Sequence, residues 1–106
     1  MKGSIAIVDY GMGNIGSVAN AFALLGETCE VVSRPGDLER ARAVVLPGVG
    51  AFPSAMRNLQ ERGLVDALNH QVLERGKPFL GMCLGMQLLA KSSTEGEFCK
   101  GLGWVD

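Results

Sequence analysis

The residues best suited to chemistry are Gly81-Met82-Cys83-Leu84-Gly85, a G-x-C-x-G run between a short apolar stretch and a segment with helical periodicity. This is the cysteine form of a nucleophile elbow, the sharp strand-to-helix turn that presents a reactive side chain at a sheet edge. Such a turn strains the backbone at the nucleophile, and its neighbours must lack side chains that would clash, which accounts for Gly81 and Gly85. A thiol there stands at a helix N-terminus, where the helix dipole favours the thiolate. The plain alternative is a small buried cysteine filling a tight turn.

Acyl chemistry also needs two N–H donors for the oxyanion that develops on the substrate carbonyl. In an elbow one donor is the backbone of the residue after the nucleophile, here Leu84. The other comes from a neighbouring strand-end loop, and Pro47-Gly48-Val49-Gly50 is suited to supply it. The thiol also needs a base, most often a histidine. His70 is the sole histidine, in the middle of the helical segment that runs back before the strand leading to Cys83. The remaining helix covers only about 8 Å at 1.5 Å per residue, whereas the following strand climbs about 15 Å. His70 is therefore expected on a helix surface, well away from the elbow. Cys29 reads as a small core residue in a strand, and Cys99 as a loop cysteine without a partner. Three cysteines, odd in number and far apart, make neither a disulfide framework nor a metal site, and no metal or cofactor is expected.

A second pattern competes for attention. Gly11, Gly13 and Gly16 have the G-x-G-x-x-G spacing of a dinucleotide fingerprint, after an apolar run and before a helical segment. In that fingerprint the first glycine closely follows the strand, but here Asp9 and Tyr10 intervene. Ser33 and Arg34, not an acidic residue for a ribose, stand at the end of the second strand. Arg34 would suit a 2′-phosphate, so NADP is the form this reading would take.

The elements that must position these residues alternate. Strands are predicted over Ile5–Val8, Cys29–Val32, Ala43–Leu46 and Pro78–Met82, each a short apolar run. Helices are predicted over Asn14–Leu25, with Val18, Ala21, Phe22 and Leu25 inward, over Pro53–Arg75 with a break near Gly63, and over Leu84–Lys91. Asp37–Arg42 reads as a short helical connection. Residues 92–106 read as loop, with a strand starting near Leu102. This order predicts an α/β doubly wound, mostly parallel sheet of flavodoxin-like type, with helices on both faces and functional loops at the strands' C-terminal ends.

With 106 residues, 47% hydrophobic, net charge −1 and mean hydropathy +0.20, the chain has room for one small core. Scattered Lys and Arg point away from nucleic acid and membrane surfaces. The longest apolar stretch falls short of the about 20 residues a bilayer span needs, and the N-terminus is a poor signal peptide, so a cytoplasmic location is expected.

The runs DYGMGN, LPGVGAF and GMCLGMQLL, in that order, resemble the first half of class I (triad-type) glutamine amidotransferases. The resemblance extends over essentially the whole chain, and within the family it is to the branch that supplies ammonia for imidazole glycerol phosphate formation in histidine biosynthesis. It implies that Cys83 attacks the side-chain amide of glutamine and passes through a glutamyl thioester, with Leu84 and the Gly48-Val49-Gly50 loop as oxyanion hole, the loop gaining its donor through a peptide flip. It implies that Gln87 and Glu95 hold the substrate glutamine, and that Asn14 faces a TIM-barrel cyclase subunit that receives the ammonia. The family's H-x-E motif, source of its catalytic His and Glu, does not occur in these residues. The chain is therefore expected to be the truncated N-terminal part of one amidotransferase domain and inactive alone. A sheet cut after four strands is also expected to favour a homodimer. Gly16-Ser17 departs from the basic residue many relatives carry, and leaves open a subunit that feeds ammonia to a sugar-modifying enzyme; a non-catalytic scaffold is the remaining alternative.

Overall fold

In a computed structural model, residues 4–11, 15–48, 50–82, 88, 92–93 and 99–104 are described. Four strands, β1 (Ile5–Val8), β2 (Cys29–Val32), β3 (Ala43–Leu46) and β4 (Phe79–Gly81), form one parallel sheet in the order β2-β1-β3-β4. Ile7 lies opposite Val31 on one side and Val45 on the other, and Val45 opposite Leu80. All four β1 residues are buried, as a central parallel strand covered on both faces requires.

Alternation along the strands sorts their side chains into two layers. Ala6, Val8, Val44 and Leu46 meet Phe52, Ala55, Met56 and Leu59 of α2 (Phe52–Glu61) and Leu64 and Leu68 of α3 (Leu64–Leu68). Ile5, Ile7 and Val45 meet Ile15, Val18, Ala19 and Phe22 of α1 (Ile15–Leu24) on the opposite face. Each fully buried large side chain stabilises the fold by about 1.5–3 kcal/mol, and most of that burial lies on the α2–α3 side. On the other side α1 packs over β1 and β2. It leaves a groove of about 160 Å³ above β3 and β4, lined by residues that include Ile5, Phe22, Phe79 and Leu80.

The predicted strands appear within one residue at each end. The predicted helices need correction. The inward face of α1 is Ile15, Val18, Ala19 and Phe22, whereas Ala21 and Leu25 are exposed. Leu25 falls beyond the last helical turn, where Gly26 (φ +83°) ends the helix. The long helix does break at Gly63, which takes a left-handed φ of +69° as the N-cap of α3. Beyond Leu68 it continues as a π-helical turn, Asn69–Glu74, in which the Arg75 N–H reaches back to the His70 carbonyl at 3.0 Å. The helical connection expected over Asp37–Arg42 is a 3-10 turn at Pro35–Leu38, because Pro35 presets the first helical φ.

Glu39 ties this connection to the π-helical turn. Its carboxylate accepts from Gln71 Nε2 at 3.1 and 3.2 Å and from Arg75 at 3.3 Å, while Lys77 Nζ donates to the carbonyls of Leu38 and Glu39 at 2.8 and 2.9 Å. The hydrogen bond from Gln71, more than the nearby cations, holds the Glu39 carboxyl below its ordinary pKa.

Residues 92–106 were expected as loop, yet Ser92–Ser93 (β5) pairs antiparallel with Cys99–Lys100 (β6). Cys99 thus belongs to a strand, and β6 ends before Leu102, whose N–H bonds the Leu88 carbonyl at 2.8 Å. Strands of two residues are too short for any periodicity to announce. Trp104 packs edge-on against Phe79 at 4.9 Å and donates to Asn69 Oδ1 at 2.6 Å. Of the helix predicted over Leu84–Lys91, only Leu88 lies among the described residues, and it is buried.

Candidate active site

In a doubly wound sheet, ligands bind beyond the strands' C-terminal ends where the strand order reverses. Here that point lies between β1 and β3, and the two loops leaving those strands are joined directly. Tyr10, the second residue after β1, is fully buried, and its hydroxyl donates to the Pro47 carbonyl at 2.6 Å. Burial raises the pKa of this hydroxyl far above its ordinary value, so it stays a protonated donor at any physiological pH. Asn58 Nδ2 in turn donates to the Tyr10 carbonyl at 2.9 Å, and Arg62, the C-cap of α2, reaches the Asp9 carbonyl at 3.5 Å.

The loop after β3 starts with Pro47 and Gly48, both buried, and opens to solvent at Gly50, whose φ of +116° favours glycine. Extended Ala51 then caps α2, with Pro53 in its first turn. On the other side of β3, Gly81 pairs with Leu46, and the Met82 N–H donates to the Leu46 carbonyl at 3.0 Å. Gly48 and Gly50 are therefore at the strand end expected of them. Val49, Cys83, Leu84, Gln87, Glu95 and Asn14 lie outside the described residues.

His70 lies on the π-helical turn with its side chain half exposed and Nδ1 3.0 Å from Glu74 Oε1, the surface position anticipated for it. Cys29 is partly buried against the α1 layer, and burial together with Glu27 pushes its thiol pKa up. Among the described residues no group of three or more His, Cys, Asp or Glu could hold a metal ion, and no helix is long and apolar enough to cross a membrane.

Gly16 does not play the part that the third glycine of a dinucleotide fingerprint plays. The third glycine of that fingerprint allows close helix–strand packing, yet a Cβ on Gly16 would meet nothing within 4 Å. Gly11, by contrast, is needed: its φ is +86°, and a Cβ there would come 3.1 Å from Asn58 Nδ2 and 3.3 Å from Arg62 Nη2. Its N–H donates to Asp9 Oδ1 at 3.2 Å. Sequence reasoning missed the parts played by Asn58 and Arg62, and saw Tyr10 only as a residue out of place in a nucleotide loop.

With this geometry in place the relatives are informative. The profile of the family "Glutamine amidotransferase class-I" matches residues 6–98, most of the chain. The chain belongs to this family. Among its amidotransferase relatives, the imidazole glycerol phosphate synthase subunit HisH 1 of Campylobacter jejuni is 48% identical over 102 residues, which cover 96% of this chain and 51% of that one. The corresponding HisH subunits of Moorella thermoacetica and Bacillus cereus are 55% identical over 98 residues and 54% over 99. The matches cover 46% and 47% of those two proteins, so the chain spans about half the length of its relatives. A crystal structure of a glutamine amidotransferase superposes with a TM-score of 0.77 at 24% identity, over 95% of this chain and 52% of the other, and so shares the amidotransferase fold.

Proposed function

We propose that this chain is the N-terminal part of one glutaminase domain, with Cys83 as nucleophile, that delivers ammonia to a TIM-barrel cyclase subunit in the cytoplasm for histidine biosynthesis. The observation that carries the reading is the convergence of the Gly48–Gly50 strand end with the β4 exit one residue before Cys83, through the Met82 to Leu46 bond. The Cys83 thiolate adds to the side-chain carbonyl carbon of glutamine. The oxyanion is held by the Leu84 N–H and by an N–H of the Gly48-Val49-Gly50 loop. The C–N bond breaks, nitrogen takes a proton and leaves as ammonia, and water then hydrolyses the thioester to glutamate and the free thiol. Gln87 and Glu95 orient the glutamine, and Asn14 faces the cyclase. The proton transfers need an acid–base pair; His70 is engaged with Glu74 on the π-helical turn, and the family's H-x-E motif would supply the pair from polypeptide beyond these residues.

The test is co-expression of this chain with the H-x-E-bearing half of the Moorella relative. Glutamate and ammonia release is expected, lost in Cys83→Ala and faster in the presence of the cyclase subunit. A stable, associated pair that leaves glutamine intact would overturn the reading. Stimulation by a sugar-modifying partner instead of the cyclase would reassign the acceptor. A second property, homodimerisation of the chain over its apolar groove, is favoured by the exposed Leu80 on edge strand β4.

A further inference from the structure

We propose that Tyr10 is a positioning residue for this reaction: its hydroxyl sets the orientation of the first peptide of the Pro47–Gly50 loop and thereby the direction of the Gly48 N–H. The inference rests on the glutaminase reading above. A peptide unit is planar and trans, so its carbonyl and its N–H point in opposite directions. The Pro47 carbonyl and the Gly48 N–H belong to one such unit. Tyr10 holds the carbonyl at 2.6 Å on the buried side, and the N–H is therefore aimed away from Tyr10. An O–H···O contact of this length is a well-formed hydrogen bond.

The anchor is itself anchored. Tyr10 is fully buried, its carbonyl is held by Asn58, and the preceding carbonyl of Asp9 is reached by Arg62. Asn58 lies in α2 and Arg62 is its C-cap, and this helix begins only two residues after Gly50. The loop is thus fastened to one helix twice, by chain continuity at its end and through Tyr10 at its start. Rotation of the Pro47–Gly48 peptide is thereby opposed. A buried aromatic that only filled space would need no hydroxyl, which makes Tyr10→Phe the discriminating variant.

The first measurement uses this chain alone. Amide hydrogen exchange at Gly48 should speed up about tenfold in Tyr10→Phe while exchange in β1 and β3 stays unchanged. An unaltered Gly48 amide in a folded variant overturns the proposal, whatever the activity. The second uses the pair of chains described above. Tyr10→Phe should lower kcat about tenfold with KM within twofold, and alkylation of Cys83 by iodoacetamide, which forms no oxyanion, should keep its rate. An unchanged kcat, or an equal loss of kcat and of alkylation, overturns it. If the wild-type pair lacks glutaminase activity, the proposed function fails instead, and hydrogen exchange at Gly48 still decides the role of Tyr10. Should Tyr10→Phe not fold, Asn58→Asp, which removes the donor behind Tyr10, is expected to give the same exchange pattern in weaker form, and its absence counts against the proposal.

Discussion

Asn58 Nδ2 donates to the backbone carbonyl of Tyr10 at 2.9 Å, across 48 positions of sequence. Asn58→Ala leaves that part-buried carbonyl without its partner and should cost about 1–2 kcal/mol. In urea titrations the midpoint should fall while the slope stays constant. A midpoint equal to that of the wild type would mean the bond adds nothing to stability.

Two glycines should respond to alanine with opposite signs. Gly63 holds φ +69°, with a Cβ position 3.5 Å from Pro35 Cγ, so Gly63→Ala forces an L-residue into left-handed backbone. The expected loss is about 1–2 kcal/mol. Gly16 lies in α1 facing open space, and Gly16→Ala should gain about 0.5–1 kcal/mol. Thermal melts that move in the same direction for both variants would contradict this.

The Glu39 cluster predicts a pH dependence. The carboxyl has a lower pKa folded than unfolded, so its stabilising contribution is complete above the unfolded value, about 4.3 for glutamate, and is lost as pH falls through the lowered folded value. The stability gap between wild type and Glu39→Ala should be widest near neutral pH and close on acidification. Urea midpoints taken from pH 7 down to pH 3 would show it, and a gap that widens in acid would reverse the assignment.

The groove over β3 and β4 predicts self-association that grows with concentration. Leu80, 49% exposed on the edge strand, should be central to it. Sedimentation of Leu80→Lys should show a shift towards monomer without loss of helical content. A wild type that stays monomeric at high concentration would rule the contact out.

Much of this architecture is legible in the sequence because local composition dictates it. Ile5–Val8 and Ala43–Leu46 are short runs rich in β-branched residues, closed by Asp9 and by Pro47-Gly48, and both are strands with those bounds. The face of α1 is only half legible, since Val18 and Phe22 fit two overlapping stripes and only packing on Ile5 and Ile7 selects the one containing Ile15 and Ala19. The π-helical turn at Asn69 and the ladder between Ser93 and Cys99 carry no periodic signal. At the site, glycine spacing pointed to the Gly48–Gly50 loop. The link from Tyr10 to Pro47 did not show, because residues 37 positions apart have no shared local pattern.

That separation also sets an order of events during folding. Tyr10 must find Pro47 across 37 residues, Asn58 across 48, and Arg62 must find Asp9 across 53. Closing such long spans costs entropy before any contact returns it, and it slows the step relative to helix formation. The glycine loop has all of its fastenings only when β3 is paired with β1 and α2 is docked. A nascent chain therefore needs its first 62 residues before it holds all of the loop's fastenings.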